Sequence, residues 1–166
     1  MPPCSDTMQN LTQLTRRLID AEVDFVLVGG FAAAAHGVTL LTRDVEICCR
    51  FDEPNLRRIQ TALADLHPVH RSRPDLPLHL TADECARLKN LYLRTDLGPL
   101  DCLGEVLGVG GFNEVLSHSI QLELPFGPCR ILNLDSLIRA KEAMNREHDR
   151  VSVRQLREIQ KRQQHS

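Results

Sequence analysis

The chain has 166 residues, 42% of them hydrophobic, and a formal charge of −2. That is enough for one domain with a real core, and it gives no overall attraction to nucleic acid or an anionic membrane, although local basic patches remain open. Six cysteines form no C-x-x-C pair and no zinc-like grouping with histidine, which argues against a zinc site or a disulfide framework. They read as small core residues of a reducing compartment. MPPCSDTMQN carries no apolar signal core, and no run approaches the ~20 apolar residues of a membrane helix. A soluble, cytoplasmic protein with no membrane partner is expected.

The elements follow in chain order. Residues 1–6 are expected to be flexible. Met8, Leu11, Leu14, Leu18 and Ile19 have helical spacing, which predicts an amphipathic helix over 7–20. Residues 23–28 read as a short buried strand, and 31–36 as a short helix of small residues stopped by Gly37. A second strand is expected over 43–49. In the next helix Asp52 is a plausible N-cap, Pro54 sits in the first turn, and Leu56, Ile59, Leu63 and Leu66 make one face. Residues 67–80, with three prolines and three histidines, read as an irregular connection with a short strand near its end. Thr81 caps a helical turn. LYLRTDLGPLDCLG predicts a hairpin, with strands near 91–95 and 99–103 turning at Gly98. GEVLGVGG reads as a mobile glycine-rich loop and FNEVLSHS as a short helix. IQLELPFGPCRILN is a second hairpin, followed by a helix capped by Asn133 or Asp135. A charged helix covers about 149–163. The expectation is one α+β (mixed α/β) domain over 1–166, with a C-terminal helix over 149–166. The helix between the first two strands looks like a crossover but is too short for an ordinary one, so part of the sheet should be mixed.

The chemistry concentrates in VDFVLVGGFAAAAHGVTLLTRDVEICC. Side chains two apart on a strand share a face, so Asp44 and Glu46 project together while Val45 and Ile47 face the core. Two like charges ~4 Å apart repel by about 4 kcal/mol at an effective dielectric near 20. A divalent cation between them removes that penalty, and Mg²⁺ favours one or two carboxylates plus phosphate oxygens. Gly29 and Gly30 end a strand and open a helix, where bare backbone N–H groups attract phosphate. Asp101, between Leu100 and Cys102, is the best third carboxylate. It could share a second metal or accept a proton. Asp96 is the weaker alternative.

These residues bring the chain to a family. Two glycines, a gap, D-x-[DE] on the next strand and a later strand aspartate resemble the DNA polymerase β-like nucleotidyltransferase superfamily. FVLVGGFAAAAHGVTLLTRDVEI looks like its small bacterial branch, which includes the MNT and AbiEii-type toxin–antitoxin nucleotidyltransferases, and the resemblance runs over roughly residues 10–160. It implies a nucleotidyltransferase-type mixed sheet flanked by helices. It also implies Mg²⁺- or Mn²⁺-dependent transfer of a nucleoside monophosphate from an NTP to a hydroxyl, with release of pyrophosphate. The acceptor (a tRNA end, a protein side chain or a small molecule) stays open. The implied roles are phosphate binding by Gly29, Gly30 and Lys141, and metal ligation and catalysis by Asp44, Glu46 and Asp101. Two departures from the pattern matter. Gly29-Gly30 stands where many relatives have Gly-Ser, and Glu46 where Asp is commoner. They motivate the alternative of a catalytically silent binding or regulatory module, such as one half of a toxin–antitoxin pair with a cognate partner.

Other features have plainer readings. His36 reads as a helix-end residue, Arg43 as an ion-pair partner pointing away from Asp44, and His67, His70 and His79 as no more than a faint metal grouping. Lys141 could instead be a solvated helix lysine, and the final basic helix a solvated face.

Overall fold

In the computed structural model residues 3–165 are described, with side chains from residue 6 onward. The first helix, α1 (Pro3–Asp20), starts earlier than periodicity suggested and takes in part of the stretch expected to be flexible; residues 1 and 2 lie outside the described residues. Leu11, Leu14 and Leu18 on α1 are fully buried. Strand β1 (Phe25–Val28) runs directly into α2 (Gly29–Ala35), and β2 (Val45–Cys49) follows. Helix α3 (Glu53–Leu63) is capped by Asp52, which accepts from Asn55 N at 2.9 Å. Buried Asn55 then bonds Asp24 and the Arg50 carbonyl, tying the start of β1 to the end of β2.

The segment 67–80 is more regular than its prolines suggested. It forms a small hairpin of β3 (Val69–His70) and β4 (Arg73–Pro77), whose prolines fall at an outer edge, where a missing N–H costs no ladder bond. After α4 (Ala82–Arg87), capped by Thr81, come β5 (Asn90–Thr95) and β6 (Gly98–Leu103). The glycine-rich stretch read as a loop forms a two-stranded ribbon of β7 (Glu105–Val106) and β8 (Gly110–Gly111). Helix α5 (Phe112–Ser117), strands β9 (Ser119–Leu124) and β10 (Gly127–Leu132), and helices α6 (Leu134–Met144) and α7 (Glu147–Gln164) complete the fold. Asn133, not Asp135, caps α6.

One eight-stranded sheet has the order β4-β3-β5-β6-β2-β1-β10-β9. It is mixed: β1 runs parallel to β10 and β2 parallel to β6, while β1 and β2 are antiparallel. The apparent crossover is therefore no βαβ unit. Seven-residue α2 is too short to carry the chain back for a parallel return, and β2 pairs in the opposite sense. The central strands are almost wholly apolar and buried, with Val26, Leu27, Ile47, Cys48, Leu100 and Cys102 in one core. Burial pushes the Cys48 thiol up to about 12 and that of Cys129 to about 11, as suits packing residues rather than nucleophiles. Among the described residues no helix is long and apolar enough to cross a membrane.

Candidate active site

Strand register builds the site. Val28, the last residue of β1, pairs with Glu46; Glu46 pairs with Asp101 on β6; Asp101 pairs with Tyr92 on β5. Cross-strand partners share a face, so both acids project from one row that starts beside the Gly29 turn. Asp44 lies just before β2 rather than within it, since the strand begins at Val45. It still joins the others: one carboxylate oxygen from each of Asp44, Glu46 and Asp101 lies within 4.8 Å of the other two. Among the described residues this is the group of acidic, histidine or cysteine side chains that converges closely enough to hold a metal ion.

Electrostatics reflect the crowding. Burial pushes the Glu46 carboxyl above its usual range, the charges of Asp44 and Asp101 add to this, and Lys141 and Arg146 oppose it. Asp101 is also raised, mainly by burial, against the pull of Arg71. Three carboxylates at this spacing are the donor set a hard divalent cation prefers, and its charge would offset the repulsion they now bear.

The glycines are needed for a geometric reason. Gly29 has φ +69°, and a Cβ there would fall 2.8 Å from Glu46 Cδ, with Glu46 Oε2 nearer still. Only glycine both adopts this turn and leaves Glu46 its place. At Gly30 a Cβ would meet Thr42 Oγ1 at 2.9 Å. A hydroxyl thus stands beside Gly30 after all, contributed by the buried Thr42.

Cations come from the α6–α7 corner, where Asn145 turns the chain with φ 53°. Lys141 is buried, not solvated, with Nζ 3.6 Å from Asp149 Oδ1. Asp149 is fully buried and accepts from Arg146 Nε at 2.6 Å and from Arg146 N at 3.2 Å. Burial alone would raise the Asp149 carboxyl, but the hydrogen bonds from Arg146 and the charges of Arg146 and Lys141 together hold it below its usual range. Two clefts meet over the acids and share Glu46, Lys141 and Arg146. The polar one, about 410 Å³, also includes Gly30, Thr42 and Asp44. The other, about 260 Å³, includes Gly29 and Asp101 and has apolar walls from Tyr92, Leu107 and Met144.

Every residue expected in the site (Gly29, Gly30, Asp44, Glu46, Asp101 and Lys141) lines these two clefts. Arg43, expected to point away, lines the polar cleft as well. Asp96 instead pairs with His67 at 2.6 Å, and His36 contacts the Leu132 carbonyl at 2.9 Å, as a helix-end residue does. Sequence reasoning missed three residues. Arg146 falls between the last two expected helices, where it caps α7, and Asp149 was hidden at the start of a helix that reads as solvated charge. Arg71, from the proline-rich hairpin, forms an ion pair with Asp101 and lies 5.4 Å from the Tyr92 ring centre. The unpaired look of a strand aspartate such as Asp101 was the available signal for such a partner.

No protein-family model and no curated protein sequence matches the chain. In three dimensions it is similar to TM1012 of Thermotoga maritima, a protein provisionally assigned as a nucleotidyltransferase. The TM-score is 0.56 over 89% of this chain and 90% of that one, at 16% sequence identity. The solution structure of the antibiotic-resistance factor ANT(2'')-Ia aligns over 96% and 97% of the two chains at 15% identity, with a TM-score of 0.49 that adds no weight. Identity this low speaks to fold alone. The chain therefore has a nucleotidyltransferase-type fold, a mixed sheet flanked by helices.

Proposed function

We propose that this chain is a metal-dependent nucleotidyltransferase of the small bacterial MNT/AbiEii-type branch. It moves a nucleoside monophosphate from an NTP to a hydroxyl acceptor and releases pyrophosphate. The observation that carries the reading is the convergence of Asp44, Glu46 and Asp101 within 4.8 Å, beside a glycine turn and facing two cations.

Asp44, Glu46 and Asp101 would hold Mg²⁺ or Mn²⁺, which when bound neutralises phosphate charge and polarises the bond to the leaving pyrophosphate. The remaining work falls to the chain's own groups. Gly29 and Gly30 let the backbone approach the polyphosphate without a side chain in the way. Thr42 holds its hydroxyl beside Gly30, donating to the Asp44 carbonyl at 3.3 Å, and would take the place of the missing serine by turning that donor to phosphate. Lys141 and Arg146 balance phosphate charge from the opposite wall, and Asp149 keeps both aimed there. The acceptor oxygen bonds to the α-phosphorus as the bond from that phosphorus to the pyrophosphate oxygen breaks. Asp101 is the group suited to take the acceptor's proton, being raised by burial.

The experiment is incubation with labelled NTPs, Mg²⁺ or Mn²⁺, and separate pools of RNA, protein and small hydroxyl compounds. The reading expects label on one pool, lost in Asp101→Ala. No label on any pool would sink it.

One observation favours a second reading. Arg71 already neutralises Asp101, as suits a silent binding module, for example half of a toxin–antitoxin pair. In that case Arg71→Ala would not create or raise transfer, and a neighbouring reading frame would encode a protein that copurifies with this one.

A further inference from the structure

The two edges of the sheet are built differently. At one end, β4 carries Pro74 and Pro77, exposed along its whole length, and proline on an edge blocks further pairing. At the other end, β9 reads SIQLEL, with six residues and no proline, and among the described residues no strand lies on its outer side.

Its register shows which groups are free. Ser119 pairs with Leu132 and Gln121 with Arg130, and Asn133 N donates to His118 O at 2.8 Å. In an antiparallel ladder, bonded and non-bonded pairs alternate. Even-numbered residues of β9 therefore bond to β10, while the N–H and C=O groups of Ser119, Gln121 and Glu123 point outward. Pro128, which has no N–H, sits opposite Glu123, as that alternation requires.

The side chains alternate too. Ile120, Leu122 and Leu124 lie on the face of buried Cys129 and Ile131, and Ile120 is 39% exposed where the core ends. Ser119, Gln121 and Glu123 lie on the face of Arg130, whose Nη1 donates to Ser119 Oγ at 3.3 Å.

We propose that β9 pairs antiparallel with β9 of a second copy of this chain, centred on Gln121 opposite Gln121, to make one continuous sheet. This register is self-complementary. It sets outward-facing residues against each other, Ser119 opposite Glu123 and Gln121 opposite itself, so all their free backbone groups are bonded. No like charges face each other. Glu123 of the second copy lies opposite Ser119, where it meets Arg130, and the same ion pair repeats across the two-fold axis. On the core face Ile120 meets Leu122, covering the apolar side chain that the edge leaves open. A register shifted by one residue would put bonded groups against free ones and lose both matches.

The test is sedimentation equilibrium over a range of protein concentrations. The parent is expected to approach twice the 18.7 kDa of one chain with a concentration-dependent mass. Gln121→Pro removes one outward N–H without touching the β10 ladder and should abolish the dimer while circular dichroism stays unchanged. Glu123→Arg places two arginines together and should weaken dimerisation ~10-fold or more. Arg130→Glu should do the same, and the double exchange E123R/R130E should restore it, which a folding defect would not. A parent that stays monomeric at high micromolar concentration overturns the proposal, as does a dimer indifferent to all of these changes. A parent that is monomeric alone but binds an extended segment of another protein along β9 also overturns it, in favour of a different occupant.

Discussion

Replacing Glu46 by glutamine removes one charge from the acid cluster without changing its shape. Two like charges at the 4.8 Å limit of this cluster repel by about 3.5 kcal/mol at an effective dielectric near 20. Glu46 faces two such charges, but Arg71 pairs with Asp101 and Lys141 and Arg146 attract Glu46. The net relief expected without metal is ~1–2 kcal/mol, or a rise of ~2–8 °C in melting temperature for a chain of this size. The sign follows from the raised Glu46 carboxyl. The folded state prefers the protonated acid, so this group's contribution to stability is present at low pH and is lost as pH rises through its folded value. Parent and E46Q should therefore differ at neutral pH in chelator and converge where Glu46 is protonated. With Mn²⁺ the order should reverse, because the parent gains from the cation and E46Q gains much less. Thermal melts in chelator and in Mn²⁺ read both effects. If E46Q melts no higher than the parent in chelator, or gains as much from Mn²⁺, the charge argument fails.

Three further outcomes are expected. Gly29→Ala forces a side chain into φ +69° and against Glu46, and should cost ~2 kcal/mol or more in urea unfolding; an unchanged midpoint would contradict the turn's stated role. Asp149→Ala leaves buried Lys141 without its partner and Arg146 without its anchor, and should cost ~3 kcal/mol and weaken NTP binding, both read by denaturant titration and calorimetry. Mn²⁺ affinity should fall as pH is lowered, and begin to fall above the ordinary carboxylate range, because Glu46 and Asp101 are both raised; calorimetry in steps of pH would show the fall starting lower if the acids were not raised.

The legible parts of the sequence were those governed by local rules. Period-two alternation set Glu46 and Asp101 on strands among buried neighbours, and the spacing of Leu11, Leu14 and Leu18 gave α1. Asp52 and Thr81 announced their helices by cap chemistry that acts over three residues. The direction of pairing was not legible, because the relation of β1 to β2 depends on where the chain after α2 returns. Asp149 looked like one more charge on a polar helix. Its burial comes from the sharp turn at Asn145, which folds α7 back against α6 and brings Lys141 and Arg146 to the same carboxylate. Arg71 reaches Asp101 only because β3 lies next to β5 in the sheet, a contact between residues thirty apart in sequence. Prolines 74 and 77 pointed to irregularity, yet they mark an edge strand.

Everything proposed for the site depends on three acids sharing one cation. The most direct measurement is equilibrium binding of Mn²⁺, followed by its electron paramagnetic signal, to the parent and to the Asp44→Ala/Glu46→Ala double variant. The parent should bind saturably, and more tightly with NTP, and the double variant should lose that binding while its circular dichroism is unchanged. Equal binding by both proteins, or none by the parent with NTP present, would contradict a shared cation site.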